Sequence, residues 1–224
     1  TLSSSSAASD VYKRQAECRD KRKTGLLFAR IGVDYPNLLD KENLSFPCFV
    51  KPYDGSCSLG AIALNDKTEL TSTLLSDEKM MFMGLVDEQH TEYTIDAYYA
   101  QNGKLKCLVP RERIEVRAGE VSKGATRKHL VYDYFLQACE KVEGARGCLT
   151  IQIFADLERE SFYGLEINPR FGGGFPLSYS AGANYPRWLI CEYLMGDEIE
   201  FYDQWETDLL MLRYDAKELI HGYA

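Results

Sequence analysis

The sequence has no G-x-x-x-x-G-K-[ST] loop and no G-x-G-x-x-G turn, which excludes the two commonest glycine-rich phosphate cradles. It also lacks any C-x-x-C pair. Its seven cysteines, Cys18, Cys48, Cys57, Cys107, Cys139, Cys148 and Cys191, are scattered and odd in number, which fits reduced structural thiols better than a disulfide framework or a zinc site. Histidine is scarce: His90, His129 and His221 share no ligand or triad spacing, so each is expected to be structural or solvent-facing. No apolar run approaches the roughly 18 residues that suggest a spanning helix, and the N-terminus lacks the basic and apolar regions of a secretory signal. A cytoplasmic protein is the expectation. Positive charge is not in excess. With 26 Lys and Arg against 34 Asp and Glu the net charge is −8, and nothing suggests a whole-chain affinity for nucleic acid or an anionic membrane. The expected partners are small molecules.

What is present suffices for a fold. Over 224 residues, 45% are hydrophobic, enough to bury a core in one or two domains. Residues 1–15, TLSSSSAASDVYKRQ, are Ser/Ala-rich without a period and read as a disordered tail. Its last part, DVYKRQ, resembles the translation of a transposon end used to prepare sequencing libraries. The tail is therefore expected to be non-native, with natural upstream sequence missing before Ala16.

From residue 16 to about Gly32 an apolar cluster follows a charged start, predicting a helix closed by Gly32. Residues 46–52 and 61–64 read as two strands flanking a Gly/Ser-rich loop. A helix is expected over 68–75, with Asp66 as its cap. Strands follow at 80–86 and 93–100, the second turning at Asn102-Gly103 into 105–110. Residues 132–142 and 185–195 are helical by period, and 149–155 and 162–167 are strands. Strand pairs interleaved with helices give a mixed α+β fold.

Three segments carry chemistry. In FPCFVKPYDGSCSLGAIAL, Lys51 ends a strand and is followed by Gly55, Ser56, Ser58 and Gly60. Glycines let backbone N–H groups approach phosphate, hydroxyls add donors, and lysine adds countercharge. The residues alone leave open a triphosphate cover or an ordinary hairpin loop. In LTIQIFADLERESFYGLEINPRFGGG, strand alternation places Glu166 and Asn168 on one face and Leu165 and Ile167 on the other. If the strands pair about a turn near Arg159, Gln152 lies opposite Glu166. Hard oxygen ligands on one face suit Mg²⁺, and Arg170 just beyond can meet a phosphoryl or carboxylate oxygen. In PRERIEVRAGE, alternation puts Arg111, Arg113, Glu115 and Arg117 on one face and Ile114 and Val116 on the other. Arg113 is assigned to an anion site; for Arg117 a solvated edge is the equal alternative.

Four anchors in order carry a family resemblance: CRDK at residues 18–21, FVKP at 49–52 with its glycine loop, DEQHTEYTID at 87–96, and IQIF at 151–154 followed by LEINPRFGGG at 165–174. Together they resemble an ATP-grasp domain, in the branch similar to the large subunit of carbamoyl-phosphate synthase. The resemblance runs from Cys18 to about Tyr214. It implies an α+β fold in which two α+β lobes clasp ATP, a lid lobe over 16–90 and a metal and catalytic lobe over 91–224. By position, Lys21 and Lys51 resemble the cations on the ATP phosphates, and the loop of Gly55, Ser56, Ser58 and Gly60 resembles the lid. Glu92 resembles the ribose contact. The hinge is shorter than usual and lacks its glycine, so the adenine contact falls to either Asp87 or Glu88. Gln152, Glu166 and Asn168 resemble the metal ligands, and Arg170 the arginine that stabilises the transferring phosphoryl group.

The implied function is a ligase that uses ATP and Mg²⁺, with Mn²⁺ as the alternative metal. It would join a small-molecule carboxylate to an amine or ammonia through an acyl phosphate. Relatives include carboxylases and kinases that keep the nucleotide site, and they place a separate N-terminal α/β domain before the segment at Cys18. A nucleotide-binding fragment or regulatory module without its own turnover is the other reading.

Overall fold

The computed structural model describes residues 17–55, 59–117 and 119–214. The expected tail, together with Ser56, Cys57, Ser58 and His221, lies outside them. Helix α1 (Lys21–Ile31) starts where Asp20 accepts a hydrogen bond from the Arg22 amide at 3.0 Å. It stops at Gly32, whose left-handed φ of 80° lets its N–H turn back onto Ala29 and Phe28. Leu27, Phe28 and Ile31 form its buried stripe.

A four-stranded antiparallel sheet follows, with β1 (Leu38–Leu39), β2 (Cys48–Pro52), β3 (Ile62–Leu64) and β4 (Met80–Gly84) in the order β1-β4-β2-β3. Cys48, Val50, Leu64, Met80 and Phe82 make its small core. The helix expected over 68–75 is divided in two. Asp66 caps a single 3₁₀ turn (Lys67–Glu69), Leu70 is extended, and Thr71 caps a new short helix, α2 (Ser72–Ser76), accepting from Leu74 N–H at 3.3 Å. Two capping side chains five residues apart favour two starts over one continuous helix.

The larger sheet has six antiparallel strands: β5 (Thr91–Tyr99), β6 (Leu105–Arg117), β7 (Glu120–Thr126), β8 (Gly147–Asp156), β9 (Ser161–Asn168) and β10 (Leu210–Leu212), in the order β10-β7-β6-β5-β8-β9. Gly103, at φ 81°, makes the turn from β5 to β6. At the β8–β9 turn, Asp156 Oδ1 accepts from the Glu158 and Arg159 amides at 3.0 and 3.1 Å. One sheet face is apolar, with Ile95, Ala97, Ile151, Ile153 and Ile167 buried against α1 and α3 (Leu130–Cys139) in one core. Helix α1 lies so close to β9 that a Cβ on Gly164 would overlap the Phe28 ring. His129 caps α3, its Nδ1 accepting from Val131 N–H at 3.3 Å, and burial lowers its pKa.

Against the sheet pack α4 (Phe175–Ser180), touching β6 and β7, and α5 (Tyr185–Ile190), touching β8; Ser178 and Tyr185 each donate to Asp96 of β5. The helix expected over 185–195 changes character at Cys191, where the backbone widens to π-type bonding (Cys191–Met195) and stops at Gly196, φ 78°. No disulfide joins the described cysteines. No described helix is long and apolar enough to cross a membrane.

Candidate active site

The sheet's second face is polar, and the strand register explains why. Thr94 pairs with Arg111 on one side and Gln152 on the other, and Gln152 pairs with Glu166. The neighbouring row runs from Asp96 through Thr150 to Asn168. Alternation along β5, β8 and β9 thus gathers these side chains on one floor. A cleft of about 920 Å³ lies over it, with Phe49, Lys51 and Pro52 of β2 among its opposite walls. That volume suits a nucleotide-sized ligand.

Glu166 is the hub. Its Oε1 accepts from Gln152 Nε2 at 2.6 Å and from Asn168 Nδ2 at 2.8 Å, and its Oε2 lies 3.5 Å from Lys21 Nζ. Lys21, on the first turn of α1, also donates to the Gly55 carbonyl, so α1 and the glycine loop meet at the ammonium. Burial lowers the Lys51 pKa to about 8; the nearby Lys21 charge adds to the fall and Glu166 opposes it. Two lysines and one carboxylate leave this end of the cleft cationic, as a polyphosphate requires.

Strand alternation fails on β9. A register shift between Gln152 and Ile153 leaves Leu165 without a cross-strand partner, and it lines the cleft instead of turning to the core with Ile167.

The PRERIEVRAGE segment departs further from its expected pattern. Shifts in pairing between Arg113 and Glu115 and between Glu115 and Val116 break the alternation, so the four charged residues do not share one face. Arg111, 1% exposed, is a buried structural cation: its Nε and Nη2 donate to Asp96 at 2.7 and 3.2 Å. Asp96 is further held by Ser178 Oγ at 2.6 Å and Thr150 Oγ1 at 3.3 Å. Arg113 does face the cleft. Its Nε lies 3.2 Å from Glu92 Oε1 as an ion pair, off-line for a hydrogen bond, while Nη2 reaches the Gly119 carbonyl at 3.2 Å. Burial raises the Glu92 pKa, the Arg113 charge pulls against it, and Glu166 adds to the rise. Glu115 pairs outward with Lys123 at 2.6 Å, and Ile114 is exposed. Val116 is partly exposed and lines the cleft, whereas Arg117 is exposed and does not.

Of the expected site residues, Lys21, Lys51, Gly55, Glu92, Arg113, Gln152, Glu166, Asn168 and Arg170 line this cleft. Gly60, Asp87 and Glu88 are exposed and do not. Asp87 is engaged by His90 Nδ1 at 2.6 Å and Arg159 at 3.0 Å. Sequence reasoning missed Thr94, Asp96, Thr150, Glu120 and the tight packing of the three glycines after Phe171. A signal for the first two existed: Glu92, Thr94 and Asp96 alternate with apolar residues in TEYTID. The glycines are explained by their surroundings. A Cβ would overlap Glu120 at Gly173 and Arg111 at Gly174.

The donor set also bears on a metal. The two amide N–H groups point at Glu166, which leaves both amide oxygens and Glu166 Oε2 as hard donors. Among the described residues no three His, Cys, Asp or Glu side chains cluster into a site of their own. One carboxylate and two neutral oxygens fit a Mg²⁺ that arrives with phosphate rather than one held by protein alone.

Curated proteins gave no match to this sequence. Solved structures share its fold. Biotin carboxylase from Campylobacter jejuni, in a complex with β,γ-ATP, superposes with a TM-score of 0.69 at 14% identity, over 86% of this chain and 49% of that one. N5-carboxyaminoimidazole synthetase from Staphylococcus aureus complexed with ADP gives 0.63 at 18%, over 75% and 49%. L-amino acid ligase from Bacillus licheniformis gives 0.54 at 18%, over 73% and 43%. The chain spans about half the length of these structures. The profile of a family described as ATP-grasp in the biosynthetic pathway with Ter operon matches residues 76–213, more than half of the sequence, and the chain belongs to this ATP-grasp family.

Proposed function

We propose that this chain carries the nucleotide site of a Mg²⁺- and ATP-dependent ligase, carbamoyl-phosphate synthase-like, that joins a carboxylate to an amine or ammonia through an acyl phosphate. The observation that carries this reading is the single cleft in which Lys21 and Lys51 stand beside the Gln152–Glu166–Asn168 cluster, with Arg113 and Arg170 also lining it.

In this reading Lys21 and Lys51 hold the phosphates, and the loop with Gly55, Ser56, Ser58 and Gly60 covers them. Glu92 takes the ribose hydroxyls. Gln152, Glu166 and Asn168 would hold the metal, which when bound neutralises charge on the phosphates. A substrate carboxylate oxygen attacks the γ-phosphorus, forming an O–P bond as the bond to the bridging oxygen breaks and ADP leaves. Lys51 and Arg170 offset charge on the transferring group. An amine lone pair then attacks the acyl carbon, the C–N bond forms, phosphate departs with the C–O bond pair, and the nitrogen loses its proton to solvent. No protein nucleophile is required.

A second reading, nucleotide binding without independent turnover, is favoured by the chain's spanning about half the length of the structures it is similar to. Hydroxylamine trapping separates the two. With Mg·ATP and a panel of carboxylic acids, acid-dependent hydroxamate supports the ligase; nucleotide binding without hydroxamate or phosphate release supports the second reading.

A further inference from the structure

The ladder between β8 and β9 ends at the Thr150–Asn168 pair. Pro169 follows with no N–H to continue it, and the Arg170 amide turns back onto the Asn168 carbonyl at 2.8 Å. The chain therefore leaves the sheet just where Arg170 reaches the cleft wall. From there a side chain takes over from the ladder. Thr150 Oγ1 donates to the Arg170 carbonyl at 2.8 Å, and among the described residues this is the one hydrogen bond that ties residues 169–173 to a strand other than their own.

Thr150 is firmly set for this. It is 2% exposed, and its single hydroxyl proton is shared with Asp96 Oδ1 at 3.3 Å, the shorter contact being the one to Arg170. Asp96 is itself fixed, because Arg111 and Ser178 donate to its carboxylate and Tyr185 donates to its carbonyl at 2.9 Å. The Thr150 methyl packs beside Gly172. A Cβ there would lie 3.0 Å from Thr150 Cγ2, closer than carbon atoms pack, so glycine lets the loop rest on the threonine. The loop's far end is held by α4, where Phe175 N–H donates to the Gly172 carbonyl at 3.0 Å. Between these anchors the Arg170 side chain donates to the Phe171 carbonyl, a bond within its own loop that moves with it.

We infer that Thr150 is the positioning residue for Arg170, its hydroxyl setting the backbone from which the guanidinium meets the transferring phosphoryl group; this rests on the ligase reading above. The hydrogen bond is to backbone, so it survives Arg170→Ala. A threonine that only stabilised the fold would matter equally with and without the guanidinium. A positioning threonine matters to the phosphoryl group only while the guanidinium is there.

The test is calorimetric titration of the full chain with Mg·ADP, with and without aluminium fluoride, which beside ADP mimics a phosphoryl group in transfer. The readout is the ratio of the two affinities, which does not depend on the fraction of protein folded. In the unsubstituted chain aluminium fluoride should tighten Mg·ADP about a hundredfold or more. Arg170→Ala should lower that gain about tenfold, Lys51 keeping part of the rest, and Thr150→Val, which keeps the shape and removes the hydroxyl, should lower it to a similar extent. The double variant should lower it no further, and Thr150→Ser, which keeps the hydroxyl, should retain it. A gain unchanged in Thr150→Val, a gain lost as fully in Thr150→Ser, or an equal further loss when Thr150→Val is added to Arg170→Ala would each overturn the inference alone. No binding of Mg·ADP by the unsubstituted chain, no gain from aluminium fluoride, or the full gain in Arg170→Ala would overturn the ligase reading's use of Arg170 and this inference together.

Discussion

The Gln152 amide donates to the Glu166 carboxylate at 2.6 Å from the facing strand, and Asn168 donates to the same oxygen at 2.8 Å. Three side chains on two strands are thereby fixed as one unit. If that unit holds the metal, Glu166→Ala removes its only carboxylate and frees both amides. Nucleotide affinity in Mg²⁺ should fall by more than the roughly 10- to 100-fold that outer-shell partners alone can cause. Titration calorimetry with and without Mg²⁺ checks this, and an unchanged affinity excludes the metal assignment.

Lys51 makes the site sensitive to pH. Its folded pKa is about 8, below the ordinary 10.5, because of burial and the Lys21 charge. Between these values the unfolded chain binds the proton more tightly, so this lysine's contribution makes folding more favourable as pH rises from about 8 to 10.5. Lys51→Met should flatten that part of the stability curve in urea titrations at stepped pH. Triphosphate favours the charged form, so its binding should take up a proton above pH 8 and weaken as pH rises. Calorimetry in buffers of different ionisation enthalpy measures the uptake.

The part of this site that could be read from sequence is the part made locally. A four-residue turn fixes the register of β8 on β9, and alternation then places Gln152, Glu166 and Asn168 together. Leu165 and the β6 segment were not read that way, because each depends on a pairing shift; the isolated strand glycines beside those shifts, Gly164 and Gly124, were the local signal. Alternation put Arg111 on one face with Arg113 but could not show that it is buried, because its partner, Asp96, lies fifteen residues earlier on a neighbouring strand. Glu120 becomes visible only when the glycine loop folds back beside β7. The two-part start at Asp66 and Thr71 was hidden for a different reason: both are good caps, and sequence period does not rank them.

The Arg111–Asp96 pair is expected to be structural. Both side chains are nearly inaccessible. Removing one partner alone, as in Arg111→Ala, leaves a buried charge and should cost about 3–5 kcal/mol. Urea unfolding of Arg111→Ala tests this; a loss within about 0.5 kcal/mol, the range of ordinary surface substitutions, would contradict it.

Gly164 links the fold to the site. Alanine there would overlap the Phe28 ring and push α1 from β9. A loss of about 1–3 kcal/mol is expected. Because Lys21 opens α1, weaker nucleotide binding should accompany it. Unfolding and calorimetry on the same preparation would reveal whether the two effects travel together.

The most direct test of the nucleotide site is calorimetric titration of the full chain with a non-hydrolysable ATP analogue, with and without Mg²⁺. Saturable binding that strengthens with the metal is the expected result. A sample shown to be folded by circular dichroism that binds the analogue under neither condition would contradict the assignment of this cleft to ATP.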